Sequence, residues 1–570
     1  MKGLTRRRFL QASGKTAAAL AGSLPVFAGC RSMSESASRA TVPPNVVLIL
    51  TDDQAYGDLG CHGNDVIQTP NLDRLHGESV RFEQFYVSPV CSPTRSSLMT
   101  GRYNYRTGVV DTYLGRSMMH ADEVTLAEIL AGNGYRTGIF GKWHLGDNYP
   151  MRAMDQGFQE SLVHNGGGIG QPSDPPGNSY FDPILTHNGE QKQYKGYCTD
   201  IFTDAAMAFI EANKEQPFFT YLSTNCPHSP LQIGEEYYKP YLDAGLDEKT
   251  ARVYGMITNI DENVGRLLAH LQALGLEQNT LVIFLTDNGP CGSQGPARYN
   301  AGLRARKGTV YEGGIHVPCF MRWPGQLSGG RAIDRIAAHI DLVPTIAEAC
   351  GAPLPGGLHV DGMSLMPLLR GNKIRMPGRT LYFQWHRGDA PELYRSCAAR
   401  TQQYKLVDGK ELYDLEADPG EEHDIAAEHA DVVAEMRAGY EAWFADVGST
   451  HGYEAPPIYV GTPHENPVVL TRQDWRGADG WGDKDLGHWC VDVRAQGRYT
   501  VELAFSPDVG AKTACFRFGD AESSGPVAPG NGQCTLEGIE LSAGPGHIEA
   551  WLETGGGRVG ARYVTITRND

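Results

Sequence analysis

The sequence lacks three features that would each assign it to a known class of protein. It has 12 cysteines but no C-x-x-C pair, which excludes a zinc ribbon. It has no run of about 18 apolar residues, which excludes a transmembrane helix. It also has no excess of positive charge, because 50 Lys and Arg residues face 67 Asp and Glu residues, for a net charge of -17. Neither a nucleic acid nor an anionic membrane surface is therefore an expected partner.

The first 30 residues have the pattern of an export signal. Residues 5–11 (TRRRFLQ) are similar to a twin-arginine motif, and a short Ala-rich apolar stretch follows them up to Ala28. Residues 27–30 (FAGC) resemble a bacterial lipobox, in which Cys30 would be the acylated residue. Phe27 stands where Leu is usual, so ordinary signal cleavage without a lipid stays open. We expect an exported protein that is either periplasmic or a membrane-anchored lipoprotein, with residues 31–42 as its tether. Disulfides would be permitted in that compartment, but their pairing is not encoded locally.

Residues 43–375 have the pattern of an α/β domain. The continuous apolar run at residues 45–51 (NVVLILT) is typical of a strand buried on both faces. Further strands are predicted at residues 135–140, 218–223 and 281–286, and amphipathic helices at residues 124–131, 198–213 and 249–274. Alternation of this kind predicts a mostly parallel central sheet that is flanked by helices.

The pattern changes after residue 375. Short strands at residues 380–385, 398–401, 404–407 and 411–414, followed by a helix at residues 430–447, predict a small α+β subdomain over residues 376–450. Residues 451–466, rich in Gly, Pro and Tyr, are predicted to form a linker. Residues 467–570 contain short strands and Gly-rich turns, which predict an accessory all-β, sandwich-like domain.

Polar side chains follow four predicted strands at the point where each strand ends. They are Asp52 and Asp53, Lys142 and His144, His228, and Asp287 and Asn288. In an open α/β sheet the ligand site lies outside the carboxyl ends of the strands, so we expect these groups to meet at one edge. A single such group is more often a turn residue or a helix cap, but four strand endings of this kind favour a shared site.

The oxygen-rich set among these residues indicates a hard cation. Three carboxylates and one amide carbonyl are ligands that suit calcium or magnesium rather than zinc. A divalent ion at this edge would screen an anionic substrate and polarise its oxygens.

Cys91 begins the segment Cys91-Ser92-Pro93-Thr94-Arg95. Ser92 is a good N-cap and Pro93 suits a first helical turn, so Cys91 is expected at a helix N-terminus, where the helix dipole favours anions. Arg95, one turn later, would add positive charge on the same side. A buried structural cysteine in front of a capped helix is the competing interpretation of these five residues alone.

Three ordered blocks resemble the signatures of the type I sulfatases, which have an alkaline-phosphatase-like fold. Residues 91–95 resemble the family's C-x-P-x-R motif, residues 134–146 (GYRTGIFGKWHLG) its second signature, and residues 307–318 (KGTVYEGGIHVP) its lysine-bearing segment. The resemblance covers residues 43 to about 450 and does not extend to the β domain. It implies that a separate maturation enzyme oxidises Cys91 to formylglycine, whose hydrate attacks the sulfur of a sulfate ester.

The resemblance also implies a role for each site residue. One Ca²⁺ ion would be held by Asp52, Asp53, Asp287 and Asn288 together with the formylglycine from Cys91. Arg95 and His144 would stabilise the hydrated aldehyde, Lys142 and Lys307 would hold the sulfate oxygens, and His228 would protonate the leaving oxygen. Lys307 follows no clear predicted strand, so its role rests on the resemblance alone.

The expected substrate is a sulfated carbohydrate, and Trp385, His386, Arg387 and the loop at residues 166–174 are candidate substrate-binding residues. Trp385 could equally pack within the subdomain. The accessory domain contains Trp475, Trp481, Trp489 and Trp551, for which core packing and docking onto the catalytic domain are favoured over a separate sugar-binding face.

Two other functions stay open on the sequence. A phosphodiesterase or phosphonate hydrolase of the same superfamily would share the fold and the C-x-P-x-R motif, although residues 141–144 (GKWH) favour sulfate. A protein that binds sulfated glycans without turnover would retain Cys91 as a thiol.

Overall fold

The computed structural model describes residues 43–569 except 296–297, 373–376, 507–511, 528–529 and 531. The predicted signal, the tether and the acylation site Cys30 lie outside the described residues. Within the described part of the chain, no helix is long and apolar enough to cross a membrane. The 11 cysteines in that part are all free thiols.

A large sheet forms the centre of the catalytic domain. Its strands are β1 (Asn45–Thr51), β2 (Val80–Tyr86), β3 (Arg136–Lys142), β4 (Glu160–His164), β5 (Ile184–His187), β6 (Glu190–Gln193), β7 (Phe218–Ser223), β8 (Thr280–Thr286), β9 (His316–Arg322), β10 (Arg331–Ile333) and β11 (Ala337–Ala338). They lie in the order β10-β2-β9-β8-β1-β7-β3-β4-β5-β6, and β11 also pairs with β2.

The five central strands, β8-β1-β7-β3-β4, are parallel, and antiparallel pairs flank them on both sides. Alternate residues of β1 enter different cores: Val46, Leu48 and Leu50 face one cluster, while Val47 and Ile49 face the other. Burial on both faces explains the uninterrupted apolar run of this strand. The predicted mostly parallel α/β sheet is confirmed.

Helices cover both faces of the sheet. They are α1 (Pro70–Glu78), α2 (Cys91–Thr100), α3 (Leu126–Gly132), α4 (Cys198–Ala212), α5 (Glu235–Asp243), α6 (Glu248–Ala273), α7 (Glu312–Ile315), α8 (Leu342–Cys350) and α9 (Met366–Leu369). Thr125 and Glu128 form a capping box at the start of α3. At the start of α6, Asp247 accepts hydrogen bonds from the backbone amides of Lys249 and Thr250.

The subdomain that follows is a four-stranded antiparallel sheet with one long helix. Its strands are β12 (Leu381–Gln384), β13 (Cys397–Arg400), β14 (Tyr404–Val407) and β15 (Glu411–Asp414), and its helix is α10 (Ala430–Val447). Met436, Tyr440 and Trp443 of this helix are buried against the sheet. The α+β arrangement agrees with the sequence pattern.

The C-terminal domain consists of two antiparallel-rich sheets packed face to face. Its strands are β16 (Ile458–Val460), β17 (Val468–Thr471), β18 (Trp489–Val493), β19 (Gly497–Ala504), β20 (Lys512–Phe518), β21 (Ala521–Val527), β22 (Gln533–Leu541), β23 (Gly544–Thr554), β24 (Gly557–Gly560) and β25 (Tyr563–Arg568). One sheet has the order β16-β18-β23-β20-β21 with β24 beside β23, and the other has the order β17-β25-β19-β22. The sandwich begins earlier than predicted, because β16 lies inside the presumed linker and pairs with β18.

The β domain packs directly onto the catalytic domain. Leu114, Met118 and Met151 of the catalytic domain enter the same apolar cluster as the sandwich core. Backbone hydrogen bonds also cross the boundary, from the amide of Gly115 to the carbonyl of Gln473 and from the amide of Tyr459 to the carbonyl of Tyr149. The two domains therefore share part of one core.

Candidate functional site

The polar groups predicted at four strand ends meet at the carboxyl edge of the central sheet. β1 and β8 are adjacent and in register at Thr51 and Thr286, so the residues that follow them are neighbours. The amide of Asp53 donates to Asp287 (3.2 Å), and Asn288 Nδ2 donates to Asp53 Oδ1 (2.7 Å). Asp53 has a positive φ of 65°, a conformation that a non-glycine residue keeps only where its surroundings enforce it.

Each of the three acids at this edge contacts a buried basic side chain. Lys142 Nζ lies 2.5 Å from Asp52 Oδ2, and Arg95 Nη2 lies 2.8 Å from Asp287 Oδ2. Lys307 pairs with Asp53. We call Asp52, Asp53 and Asp287 the catalytic acid cluster.

The basic partners control the protonation of these acids. Burial alone would raise the pKa of Asp53, but Lys307 and His228 outweigh it and hold that pKa well below its usual value. Burial and the neighbouring Asp52 raise the pKa of Asp287 to about 6, although Arg95 opposes the shift. The basic neighbours therefore allow these buried carboxylates to lie close together.

Three buried oxygens in this region have no hydrogen-bond partner: Asp52 Oδ1, Asp53 Oδ2 and Asn288 Oδ1. Ligand atoms of Asp52, Cys91 and Asp287 all lie within 4.8 Å of one another. Unsatisfied oxygens are costly to bury, and a hard divalent cation would satisfy them. The predicted ligand set thus fits a Ca²⁺ ion.

Cys91 lies at the bottom of the pocket beside this cluster. It is the first residue of α2, and Val90 is the N-cap, so the prediction that Ser92 caps the helix is wrong; the helix begins two residues earlier than expected. Lys307 Nζ is 3.8 Å from Cys91 Sγ. Burial raises the pKa of the Cys91 thiol even though Lys142 and Lys307 oppose the shift. A thiol with a raised pKa is a poor nucleophile, since the thiolate is the reactive form.

Two histidines face the pocket with their ring orientations fixed by backbone carbonyls. His228 Nδ1 donates to the carbonyl of Ser229 (2.7 Å), which leaves Nε2 on the side of Asp53, 3.9 Å from its Oδ2. His144 Nε2 donates to the carbonyl of Thr112 (2.7 Å). Each histidine therefore keeps one ring nitrogen for another partner.

Arg95 and Lys142 lie beneath the pocket instead of lining it. Both side chains are almost fully buried, and Arg95 also donates to Ser223 Oγ (2.5 Å) and to the carbonyl of Lys142 (3.1 Å). They act on the site through their ion pairs with Asp52 and Asp287. Lys307, in contrast, lines the pocket beside Cys91.

The pocket has a volume of about 570 Å³. Its wall includes Cys91, His144, His228, Lys307, Trp385 and Arg387 from the predicted set. Trp385 Nε1 and Arg387 Nη1 both donate to Asp111 Oδ1, at 3.0 and 3.1 Å, and this fixes the two side chains at the rim.

His386 is turned away from the pocket. Its Nδ1 donates to the carbonyl of Arg387 (3.0 Å), and its Nε2 accepts from the amide of Glu392 (2.9 Å). Both ring nitrogens are occupied within its own loop, so of the three candidate substrate-binding residues on this segment, Trp385 and Arg387 line the pocket and His386 does not.

Sequence reasoning missed part of the pocket wall. Gln171 lies within the loop that was predicted to bind substrate, but Thr112, Tyr113 and Trp481 were not assigned to the site. Trp481 is the most informative of these, because it belongs to the β domain and yet lines the pocket. Its ring contacts Tyr113 edge-on, with centroids 5.1 Å apart. Trp475 and Trp489 are core residues, as favoured from the sequence.

Gly167 and Gly168 are required where this wall approaches the histidines. A Cβ on Gly167 would lie 2.8 Å from His144 Cε1 and 2.8 Å from Gln171 Oε1. The glycines thus let Gln171 approach His144 and His228, a contact for which three consecutive glycines at residues 166–168 were the available sequence signal.

Comparison with known proteins identifies the family. A sulfatase family model matches residues 44–352, and a model of the C-terminal region of N-sulphoglucosamine sulphohydrolase matches residues 305–443. Human arylsulfatase A is 35% identical over 417 residues, which cover 66% of this chain and 78% of that protein. Mouse N-acetylgalactosamine-6-sulfatase is 32% identical over 377 residues, which cover 60% of this chain and 69% of that protein.

Solved structures share the fold as well. The crystal structure of Ps i-CgsB in complex with k-i-k-neocarrahexaose has a TM-score of 0.66 and 30% identity, and the match covers 72% of this chain and 95% of that chain. A structure in complex with D-glucosamine-2-N,6-O-disulfate has a TM-score of 0.59 at 23% identity, covers 72% of this chain and 99% of that chain, and supports the fold alone. From its matched family model and these relatives, the chain belongs to the sulfatase family, within the alkaline-phosphatase-like superfamily, and is a sulfuric ester hydrolase.

Proposed function

We propose that this enzyme removes sulfate from a sulfated carbohydrate, with a formylglycine made from Cys91 as nucleophile and one Ca²⁺ ion as cofactor. The observation that carries the proposal is the position of Cys91. It lies at the bottom of the pocket, 3.8 Å from Lys307 Nζ, above the unpartnered oxygens of Asp52 and Asp53. A nucleophile formed there would have a cation site on one side and a pocket for an anionic substrate on the other.

The raised pKa of the Cys91 thiol supports its conversion to another nucleophile. In the maturation step, a separate enzyme would carry out a two-electron oxidation of the Cβ–S bond and would supply the electron acceptor. Oxygen replaces sulfur on Cβ, and the sulfur leaves as sulfide. Addition of water to the resulting aldehyde gives a geminal diol with two hydroxyl groups.

Hydrolysis then follows in two steps. One hydroxyl of the diol would attack sulfur in line and pass its proton to a carboxylate of the catalytic acid cluster. The bond between sulfur and the alcohol oxygen would break, and His228, as the imidazolium, would give its Nε2 proton to the leaving oxygen. The second hydroxyl would next give its proton to the now neutral His228 Nε2. The bond between Cβ and the sulfate oxygen would break as the aldehyde re-forms, and sulfate would leave with the proton held by the acid cluster. A water molecule restores the diol, so that one ester and one water give one alcohol and one hydrogen sulfate.

The remaining site residues bind and orient the reacting groups. Lys307 would hold the sulfate oxygens from the pocket wall, while Lys142 and Arg95 add positive charge from beneath, through Asp52 and Asp287. His144 would accept a hydrogen bond from the diol through its unpartnered Nδ1, because its Nε2 donates to Thr112. Asp52, Asp53, Asp287 and Asn288 would hold Ca²⁺, which supplies charge neutralisation and polarises oxygen.

A carbohydrate substrate is supported by the pocket rim and by the relatives. Trp385 presents an aromatic face, and Arg387 lies beside it, 5.3 Å from the ring centroid. Such a pair suits a sugar ring that carries an anionic or hydroxyl substituent. Relatives that act on N-acetylgalactosamine 6-sulfate or were crystallised with a carrageenan oligosaccharide point to the same substrate class. We further propose that the protein is exported, as its first 30 residues indicate.

Peptide mass spectrometry and a Cys91→Ala variant test this proposal together. Native protein should yield a Cys91 peptide that has lost sulfur and gained oxygen, and it should release sulfate from p-nitrophenyl sulfate and from members of a sulfated sugar panel. Cys91→Ala should lower turnover by at least about 10⁴-fold, since removing a covalent nucleophile has effects of that order.

Cys291→Ala is the matched control, because Cys291 is a second thiol in the same pocket. It should retain turnover within about threefold, or roughly 0.6 kcal/mol. Retained turnover in Cys91→Ala would overturn the mechanism, and faster cleavage of an aryl phosphate diester than of the aryl sulfate would favour a diesterase. An intact Cys91 thiol in inactive native protein would favour glycan binding without turnover.

A further inference from the structure

A second cleft lies next to the catalytic pocket, between the two domains. Its volume is about 490 Å³. One wall is the loop at residues 170–177 of the catalytic domain, and the other wall is formed by Arg472, Trp481, Asp483, Arg562 and Tyr563 of the β domain. We call it the interdomain cleft.

The interdomain cleft and the catalytic pocket share two wall residues, Gln171 and Trp481. A molecule that contacts Cys91 at one end could therefore continue past Trp481 into the second cleft. Arg472 Nη1 donates to the carbonyl of Trp481 (2.6 Å), which fixes the backbone at this junction. Trp481 therefore lies between the catalytic pocket and the interdomain cleft.

The interdomain cleft combines apolar and charged surface in a way that suits a hydroxyl-rich ligand. Pro175, Pro176 and Trp481 provide apolar area. Asp483 lies between Arg472 (3.0 Å) and Arg562 (3.4 Å), so two arginines share one carboxylate in this wall. Asp483 and Arg562 remain about half exposed, at 41% and 44% of their side chains. Paired acceptors and donors of this kind recognise neighbouring hydroxyl groups.

The two walls are also held at a fixed separation. Tyr563 of the β domain donates from its hydroxyl to the carbonyl of Asp174 (2.8 Å). The Asp174 carboxylate in turn accepts from the amide of Gly170 (3.0 Å) and from Asn178 Nδ2 (2.9 Å). The loop is therefore internally ordered and attached to the β domain, which lowers the entropic cost of ligand binding.

We propose that the interdomain cleft is a binding subsite for a second sugar unit of the substrate. The sulfated unit would occupy the catalytic pocket, Trp481 would contact the junction between the two units, and Asp483 and Arg562 would bind hydroxyls of the second unit. The proposal rests on the proposed function, and it makes the β domain part of the substrate-binding surface. The substrate class is then an oligosaccharide or polysaccharide.

The test compares each sulfated monosaccharide with an oligosaccharide that contains the same unit. Suitable pairs are galactose 4-sulfate with k-i-k-neocarrahexaose, and N-acetylgalactosamine 6-sulfate with a chondroitin 6-sulfate tetrasaccharide. For the hydrolysed pair, we expect kcat/KM to be at least about tenfold higher for the oligosaccharide, which corresponds to roughly 1.4 kcal/mol. Trp481→Ala and Arg562→Ala should each reduce this ratio to about threefold or less.

Arg498→Ala is the control, because Arg498 is an exposed arginine of the same β domain that pairs with Glu540. It should leave the ratio unchanged. A ratio near one in the wild-type enzyme, or a ratio that persists in Arg562→Ala, would overturn the subsite. Hydrolysis of p-nitrophenyl sulfate without hydrolysis of any sulfated sugar would instead overturn the carbohydrate substrate, and with it the subsite, so the two failures are distinguishable. If Trp481→Ala does not fold, Trp481→Phe and Arg562→Ala decide the question.

Discussion

The molecule buries two groups of acids, one with basic partners and one without. In the catalytic acid cluster, Asp52, Asp53 and Asp287 each contact Lys142, Lys307 or Arg95. The second group, which we call the interdomain acid cluster, consists of Asp147, Asp174 and Asp474. Within the described part of the chain, none of these three acids forms an ion pair with a basic side chain.

The hydrogen bonds of the interdomain acid cluster come mainly from backbone amides. Asp147 Oδ2 accepts from the amide of Gly166 (2.8 Å), and Asp474 Oδ2 has no partner. Burial raises the pKa of Asp147 to about 7 and that of Asp174 to about 6. Burial and the neighbouring Asp147 raise the pKa of Asp474 well above its usual value. Lys307 and His228 keep Asp53 ionised and ready to bind a cation, whereas Asp287, despite its pair with Arg95, has a raised pKa like the interdomain acids.

The largest expected difference between the clusters is in catalysis. Asp53→Asn keeps the size of the side chain but removes the charge that faces Lys307. We expect kcat/KM on p-nitrophenyl sulfate to fall about 10³-fold, or roughly 4 kcal/mol, because cation binding and charge neutralisation are both weakened. Asp147→Asn should change kcat/KM by less than about threefold, which is roughly 0.6 kcal/mol.

Circular dichroism and the thermal unfolding midpoint would establish that both variants are folded before their rates are compared. An Asp53→Asn enzyme within about tenfold of the wild type, a difference of roughly 1.4 kcal/mol, would remove Asp53 from the site. A large loss in Asp147→Asn would mean that the interdomain acid cluster also supports catalysis.

The second expected difference is in the pH dependence of stability. With its pKa raised to about 7, folded Asp147 retains a proton between about pH 4 and pH 7, whereas the unfolded chain has lost it. Because the folded state then binds more protons, the free energy of unfolding decreases as the pH rises through this window. The decrease from this one residue is at most about 4 kcal/mol, because the pKa is raised by about three pH units and each unit corresponds to roughly 1.4 kcal/mol.

Asp147→Asn should remove that part of the decrease. The variant should therefore gain stability relative to the wild type, and this gain should be larger at pH 8 than at pH 5. Thermal unfolding midpoints of the wild type and the variant at both pH values give the measurement. Equal pH dependence in the two proteins would show that Asp147 ionises normally in the folded state. Asn178→Ala, which removes a donor to Asp174, is a useful comparison because it leaves the Asp147 carboxyl in place.

The same contrast explains what could be predicted from sequence. Asp52, Asp53 and Asp287 follow the buried strands β1 and β8, and parallel strands bring their ends together, so a rule about sheets locates them. Lys307 lies on a loop and was found only through its family motif. Cys91 was located correctly at a helix N-terminus, although its helix begins two residues earlier than the capping residues indicated.

Contacts between the domains were the part that sequence patterns could not predict. Asp147 and Asp474 lie on loops of different domains, and no periodicity relates them. Gln473 is a similar case: its Nε2 donates to the carbonyl of Thr112 (2.9 Å), the same oxygen that His144 Nε2 contacts. Trp481 packs against Tyr113 of the catalytic domain, as docking between the domains predicted, but its place in the pocket wall was not predicted. These positions depend on how two domains dock, which is a property of tertiary packing.

The smallest expected difference is in cation binding, and it distinguishes the two clusters most directly. Ca²⁺ at 100 times its dissociation constant would stabilise the folded protein by about 2.7 kcal/mol if it binds only the native state. We therefore expect the thermal unfolding midpoint to fall after treatment with a chelator and to recover when Ca²⁺ is added. The response should persist in Asp147→Asn and be largely lost in Asp53→Asn, because the unpartnered oxygens of Asp52 and Asp53 are the proposed ligands. If Asp147→Asn lost the response and Asp53→Asn kept it, the interdomain acids would be the cation site, and the contrast between the clusters would be reversed.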